Sequence, residues 1–143
     1  MKLRARPTRD PDEELVAHPV CYHGVQMRST LEGRWACFFD SLSVPWSYER
    51  AGYRVEGQWR WPDFWLPDQS CYVEVKPRGF LPDEKLALGV AEASGSPLVW
   101  LAGEPYPGSY EATLFADAAE PPRANLRWAL GRTDHAEIWL CDP

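Results

Sequence analysis

The sequence of 143 residues has a formal net charge of −6, and 45% of its residues are hydrophobic. That length suits one domain with a sizeable core, and the eight tryptophans argue against a disordered chain. No apolar run approaches the roughly 18 residues that a transmembrane helix needs, and no apolar stretch follows the basic N-terminal residues as in a signal peptide. We therefore expect a cytoplasmic protein without membrane contact.

The charge is unevenly distributed: eight basic and nine acidic residues lie between positions 28 and 85, but only three basic and eight acidic residues follow them. This pattern is compatible with a locally neutral or slightly basic face on an acidic body, and strong non-specific DNA binding is not expected. No CxxC pair is present, so we expect free, mostly buried thiols at Cys21, Cys37, Cys71 and Cys141.

The N-terminal segment, residues 1–20, interleaves arginines with prolines before an acidic triplet, which predicts an arm that is partly ordered at best. A short strand or turn is expected at Val20–Tyr22. Zinc-ligand residue types also occur here, but no second ligand cluster follows, so a zinc site is disfavoured at His18, Cys21 and His23.

A helix is predicted over residues 28–42, because apolar side chains recur there at helical spacing: Leu31, Trp35, Phe38, Phe39 and Leu42. Ser29 and Glu32 have the spacing of a capping box at the start of this helix. Glu32 also lies inside the apolar arc, where a carboxylate needs a partner. Two alternatives follow for Glu32, namely capping alone or a role in a metal site.

A β-hairpin is predicted with arms 59–66 and 71–76 and turn residues 67–70 between them, because Phe64 and Leu66 on the first arm, and Cys71, Val73 and Val75 on the second, recur with period two. Shorter strands are expected before it, at residues 46–49 and 53–56. Three tryptophans lie on one side of the first arm. They could form a wall or a base-stacking surface, but core positions are favoured for Trp59, Trp61 and Trp65.

The register of this hairpin places two acids opposite each other. Counting back from the turn, Leu66 faces Cys71 and Asp63 faces Glu74, with Cβ atoms about 4.5–5.5 Å apart. Like charges at that distance destabilise a hairpin unless a cation lies between them. Lys76 shares the face of Glu74, two residues along the strand. The sequence therefore predicts a metal clamp with a lysine beside it.

The remainder of the chain is predicted to continue with a helix from about residue 82 to 93. A continuous apolar run at Leu98–Ala102 indicates a buried central strand, reached by a parallel crossover from the Glu74 strand. Later elements are an edge strand at Tyr110–Phe115, a short helix at 125–130 and a final strand at Ala136–Cys141.

An all-oxygen ligand set could form from the carboxylates of Glu32, Asp63 and Glu74 together with the backbone carbonyl of Val75. Such a set suits Mg²⁺ or Mn²⁺. Lys76 beside it could hold a water or help to deprotonate it, and could stabilise charge on a phosphate.

The pattern resembles the PD-(D/E)xK nuclease superfamily. Pro62 and Asp63 match the "PD", Glu74-Val75-Lys76 matches the "ExK", and Glu32 resembles the helical glutamate of phage and archaeal Holliday-junction resolvases. Residues 22–42 and 61–77 look like small phage and bacterial members. The resemblance covers roughly residues 22–101 and leaves residues 102–143 as an extension of a single domain, 21–143.

The resemblance implies an α/β fold, with an αβββαβ restriction-endonuclease-like core whose mixed central sheet is flanked by helices. It implies a Mg²⁺- or Mn²⁺-dependent endonuclease that hydrolyses phosphodiester bonds in branched or structured DNA, in recombination or repair within a bacterial host or phage-infected cell. Asp63 and Glu74 would be metal ligands, Lys76 the water-activating residue, and Glu32 a further ligand or supporting group. Expected DNA contacts are Arg28, Arg34, Arg78 and Lys85.

Other functions stay open at this point. The acidic body favours two of them: a catalytically inactive nuclease-fold module that binds DNA or a protein, and a nuclease subunit that needs a partner for DNA affinity. Junction cutting would require a homodimer. No nucleotide cofactor is expected.

Overall fold

A five-stranded mixed β-sheet lies at the centre of the structure, a computed structural model that describes residues 18–116. Its strands are β3 (Ser47–Tyr48), β6 (Phe64–Leu66), β7 (Cys71–Lys76), β8 (Leu98–Gly103) and β9 (Tyr110–Phe115), paired in the order β3-β6-β7-β8-β9. The two helices among these residues are α1 (Thr30–Ser41) and α2 (Glu84–Ser94). Two separate hairpins pair β1 (Val20–Tyr22) with β2 (Val25–Met27), and β4 (Tyr53–Val55) with β5 (Gln58–Arg60). The predicted α/β class is confirmed.

The sheet has the predicted register at its centre. Leu66 pairs with Cys71 in the antiparallel β6–β7 hairpin, and continuing that register by three residues brings Asp63 opposite Glu74. Strand β8 is fully buried and runs parallel to β7, so the predicted crossover through α2 is confirmed. Strand β9 pairs antiparallel with β8 at the edge of the sheet, as predicted.

Helix α1 packs on one face of this sheet. Its capping box forms as predicted, since the Ser29 side chain accepts from the Glu32 N–H and the Glu32 side chain accepts from the Ser29 N–H. A Cβ at Gly33 would lie 3.1 Å from a methyl carbon of Val20. The glycine, which costs about 1 kcal/mol relative to alanine in a helix, therefore allows the β1–β2 hairpin to approach α1 closely.

Helix α2 and the β4–β5 hairpin cover the opposite face. The Asp83 side chain caps the start of α2, and Gly95 ends it with φ +70°, in the left-handed conformation that glycine adopts without strain. Within the helix, a Cβ at Gly89 would lie only 2.4 Å from a methyl carbon of Val55. Glycine at this position therefore lets β4 pack directly against the helix.

The first arm of the predicted hairpin is not one strand, and this prediction is wrong. Residues 58–60 pair with β4, whereas residues 64–66 pair with β3 and β7. Pro62 lies between the two strands, where a residue without an N–H cannot continue a ladder. As a consequence Trp59 and Trp61 are 59% and 50% exposed, contrary to the core positions favoured above, and only Trp65 is partly buried.

The prediction of free thiols is confirmed for the described cysteines, but the prediction that most of them are buried is wrong. Cys21, Cys37 and Cys71 are free, but only Cys71 is buried. No helix in the range 18–116 is both long and apolar enough to cross a membrane. The predictions for Cys141, for residues 1–17 of the arm, for the helix at 125–130 and for the strand at 136–141 lie outside the described residues.

Candidate functional site

The predicted acids meet in a cleft at the carboxyl ends of the parallel strands β7 and β8, where α/β sheets commonly bind ligands. The cleft has a volume of about 1010 Å³. The N-terminal turn of α1, the end of β7 and the segment that joins β5 to β6 all line it. Glu32 and Asp63 are buried and Glu74 is partly buried.

Asp63 is the most enclosed acid of the cleft, with 2% of its surface exposed. Its Oδ2 accepts the Val75 N–H at 2.8 Å, and its own N–H donates to Oε1 of Glu74 at 3.2 Å. The two opposed carboxylates are therefore each held by a backbone N–H of the neighbouring strand. In a β-strand the N–H and C=O of one residue point to the same side, so the Val75 carbonyl faces the same edge.

Glu32 joins this pair from helix α1. Its Oε1 accepts the N–H groups of Arg28 at 3.0 Å and Ser29 at 3.2 Å, and the hydroxyl of Tyr48 at 2.9 Å. The side chain thus caps the helix and is also close enough to Asp63 to act on its ionisation. The capping role of Glu32 is therefore confirmed, whereas its role in a metal site stays a prediction.

The environment raises the pKa of the two opposed acids. Burial is the largest cause for Asp63, whose pKa lies well above its usual range, and the charges of Glu74 and Glu32 raise it further. Burial also raises the pKa of Glu74, although Lys76 and the Asp63 N–H oppose that shift. Carboxyl groups in this condition gain stability when a cation comes between them.

Two cations of the chain already approach these acids. The Arg28 guanidinium lies 3.1 Å from Asp63 Oδ1 and 2.5 Å from Glu49. Partial burial disfavours its charge, but Asp63 and Glu49 outweigh that effect, and the pKa of Arg28 rises. Lys76 Nζ lies 3.5 Å from Glu74 Oε2. A metal ion ligated by Asp63 would therefore compete with Arg28.

No group of three or more His, Cys, Asp or Glu side chains within residues 18–116 is arranged to hold a metal ion. The oxygens of the acids point instead at donors of the chain, because Oδ1 of Asp63 meets Arg28 and Oε1 of Glu32 meets three donors. Rotation of these carboxylates and withdrawal of Arg28 would be needed before they could share an ion.

The four predicted DNA contacts divide into two pairs. Arg28 and Arg78 line the cleft. Arg34 is instead paired with Glu104 at 2.7 Å, and Lys85 lies 3.9 Å from Glu56; neither basic residue lines the cleft.

Three cleft residues were not expected there from the sequence: Arg60 had no assigned role, and core positions were favoured over a wall of the site for Trp59 and Trp61. Pro62 was the available signal, because a proline inside a predicted strand indicates that the ladder stops there.

Glu74→Gln should stabilise the metal-free protein at pH 8 by roughly 1 kcal/mol, because it removes one of two opposed, largely buried negative charges. The raised pKa values mean that the folded state holds these protons more tightly than the unfolded state. The stabilising contribution of Asp63 and Glu74 is complete below the unfolded-state pKa of about 4, and it is lost as the pH rises through their folded-state pKa values. Urea unfolding in EDTA at pH 5.5 and pH 8 measures both effects.

Glu56→Gln is the matched control, because the Glu56 side chain is 59% exposed and lies 3.9 Å from Lys85. We expect a change below about 0.5 kcal/mol for it at either pH. A Glu74→Gln protein that is less stable than wild type at pH 8 would show that the opposed charges do not strain the fold.

Comparison of the chain with models of protein families, with curated proteins and with solved structures finds no match. The PD-(D/E)xK resemblance receives no support from these comparisons. Its implications for function stay a proposal that depends on the chain's own residues.

Proposed function

We propose that this chain is a Mg²⁺-dependent endodeoxyribonuclease with a PD-(D/E)xK-type site, which hydrolyses phosphodiester bonds in branched or otherwise structured DNA. The observation that carries the proposal is the convergence of Glu32, Asp63, Glu74 and Lys76 in one cleft at the carboxyl end of β7. Apart from the β4–β5 hairpin, which is inserted after β3, the order of helix α1, strands β3, β6 and β7, helix α2 and strand β8 is the one expected of an αβββαβ restriction-endonuclease-like core.

The donor set fits a hard divalent cation. Asp63, Glu74 and Glu32 offer carboxylate oxygens and Val75 a carbonyl oxygen on the same edge, which is the ligand chemistry that Mg²⁺ and Mn²⁺ prefer. When bound, the ion would supply positive charge to the scissile phosphate and favour ionisation of the attacking water. Binding would also relieve the repulsion that raises the pKa of Asp63.

Lys76 is placed to act on that water. Its ammonium group is held between Oε2 of Glu74 at 3.5 Å and the ring of Trp100, whose centroid is 5.6 Å away. Both contacts orient a flexible side chain toward the acids. In the reaction the Lys76 ammonium would donate a hydrogen bond that holds the attacking water, or would stabilise the developing charge on the phosphate oxygens.

The charge balance of the cleft indicates that a cation would also strengthen substrate binding. Four basic and four acidic side chains line it: Arg28, Arg60, Lys76 and Arg78 against Glu32, Asp63, Glu74 and Glu104. Without a metal ion the cleft has little net attraction for phosphate. A divalent ion would make it cationic, so metal binding would increase the attraction for phosphate as well as supply charge for catalysis.

The direct test is incubation of the protein with supercoiled plasmid, four-way-junction DNA and duplex DNA, in Mg²⁺, Mn²⁺ or EDTA. We expect cleavage only with metal, with the junction or another structured form preferred, and loss of cleavage in Lys76→Ala. Glu92→Gln, an exposed change on α2, should cleave as wild type does. Inert wild-type protein on every DNA form would overturn the proposal.

The Arg28–Asp63 ion pair favours a second candidate, a non-catalytic module that keeps this fold for binding DNA or a protein. An arginine bound to the central acid neutralises it without a metal ion. Calorimetric titration with Mn²⁺ separates the candidates. Heat of binding that disappears in Glu74→Gln supports the nuclease, whereas no binding by wild type supports the module. A nuclease subunit would bind Mn²⁺ but cleave only after its protein partner is added.

A further inference from the structure

Two exposed tryptophans stand on the wall of the cleft beside the acids. Trp59 is 59% exposed and Trp61 is 50% exposed, and both line the cleft that contains Asp63. Large aromatic side chains left this open in a folded domain commonly mark a binding surface. Phe80, 45% exposed, lines the same cleft.

The chain itself holds each indole in place. A Cβ at Gly52 would lie 2.6–2.9 Å from three ring atoms of Trp61, so the ring occupies space that only a glycine leaves free. The Arg54 guanidinium lies over Trp59, 5.7 Å from the ring centroid, and donates to the Gly57 carbonyl at 3.1 Å. One side of each indole is thus supported, and half of its surface stays open.

The hairpin that carries Trp59 is anchored to the body of the domain. Val55 of β4 packs where Gly89 of α2 has no side chain, and the Tyr53 hydroxyl is hydrogen-bonded to that of Tyr72 on β7. These contacts join the hairpin both to a helix and to the strand that bears Glu74. The aromatic wall is therefore positioned relative to the acids by packed structure.

The charges beside these two tryptophans suit the backbone of a single strand, which has a lower charge density than that of a duplex. Arg60 and Arg78 are exposed and line the cleft, and neither forms an ion pair within the described part of the chain. Two such cations are too few for tight duplex binding, which usually relies on roughly six or more phosphate contacts. They are enough to accompany stacking of unpaired bases.

We infer that Trp59 and Trp61 form a stacking platform for unpaired nucleotides of DNA, which directs the acidic site to single strands, frayed ends or the unpaired strand of a branched molecule. Bases in a duplex have both faces covered by their neighbours, whereas an unpaired base can lie on an indole. This inference names the substrate class of the proposed nuclease and rests on that function for its catalytic meaning. The binding step itself needs no cleavage.

Fluorescence anisotropy in EDTA tests the platform without cleavage, using a labelled single strand of 12 thymidines and a blunt duplex of 12 base pairs. We expect the single strand to bind more tightly than the duplex. The slope of log affinity against log salt should be about −1.4, as two phosphate contacts on a single strand predict. Equal binding of both probes, or a slope near −4, would overturn the inference.

Trp61→Ala and Trp59→Ala should each weaken single-strand binding by about 5- to 150-fold and leave duplex binding unchanged. Trp61→Phe should recover most of the loss because a ring is kept. Tyr106→Ala is the matched control, since Tyr106 is 55% exposed but lies outside the cleft lining, and we expect less than a twofold change. Wild-type affinity in both tryptophan variants would overturn the inference.

Sedimentation of the same proteins tests the alternative that a second copy of the chain, and not DNA, packs against the two tryptophans. If the tryptophan variants lose self-association instead of single-strand affinity, the wall is an interface between copies, and the inference fails. Cleavage assays with Mn²⁺ distinguish the two proposals. Tryptophan-dependent single-strand binding without cleavage would reject the nuclease and keep the platform, whereas cleavage without single-strand preference would reject the platform alone.

Discussion

Asp63→Asn should reduce metal-dependent DNA cleavage by about 10²- to 10³-fold, the scale seen when one charge-stabilising group is removed from an active site. Asp63 interacts electrostatically with both other acids of the site, and it is the one of the three that the Arg28 guanidinium contacts. An asparagine keeps an acceptor for the Val75 N–H but contributes no charge to a metal ion. Cleavage of the preferred DNA form in Mg²⁺, measured at saturating metal, gives the loss.

The fold of the Asp63→Asn protein should be retained, which separates a chemical role from a structural one. The substitution removes a buried carboxyl group whose pKa is raised mainly by burial. Unfolding of the variant in EDTA at pH 8 should therefore need at least as much urea as unfolding of the wild-type protein. Glu92→Gln supplies the control for cleavage. An Asp63→Asn protein that is folded and cleaves at the wild-type rate would exclude Asp63 from the reaction.

Trp35→Ala should cost about 3–5 kcal/mol of unfolding free energy, the range for truncating a large aromatic side chain in a core. Trp35 is a fully buried residue of α1, and its ring makes edge contacts with Phe38 and Tyr110 at centroid distances of 5.3 and 5.0 Å. Its indole N–H donates to the Gly103 carbonyl at 2.9 Å. Truncation leaves a cavity and an unpaired buried carbonyl. Urea unfolding measures the loss.

Trp59→Ala is the matched control for that measurement, because it removes the same side chain from an exposed position. We expect a change below about 0.5 kcal/mol. Trp35→Phe should lie between the two, since it keeps most of the packing and loses the hydrogen bond to Gly103. Equal losses in the Trp35 and Trp59 variants would contradict the division into core and cleft tryptophans.

The local elements were predictable because their signals lie within a few residues of one another. Ser29 and Glu32 are three residues apart, so the capping box could be read directly. The register of Asp63 against Glu74 followed from a four-residue turn. The apolar run at Leu98–Ala102 was long enough to indicate a buried parallel strand.

The prediction of one continuous strand over residues 59–66 was wrong, because alternation indicates an extended chain but does not identify its partner strand. The chain is extended on both sides of Pro62, yet it leaves one partner strand and joins another there. The exposure of Trp59 and Trp61 follows from that change of partner. No local pattern distinguishes an indole on a cleft wall from one in a core.

The sequence by itself determined the opposed pair of acids and the lysine beside it, since a tight turn and the period-two geometry of strands leave no other register there. Only the tertiary structure decided which distant groups meet that pair: the carboxylate of Glu32, the guanidinium of Arg28 and the two tryptophans of the cleft wall. The reason is physical, because these encounters depend on how helix α1 and the β4–β5 hairpin pack on opposite faces of one sheet.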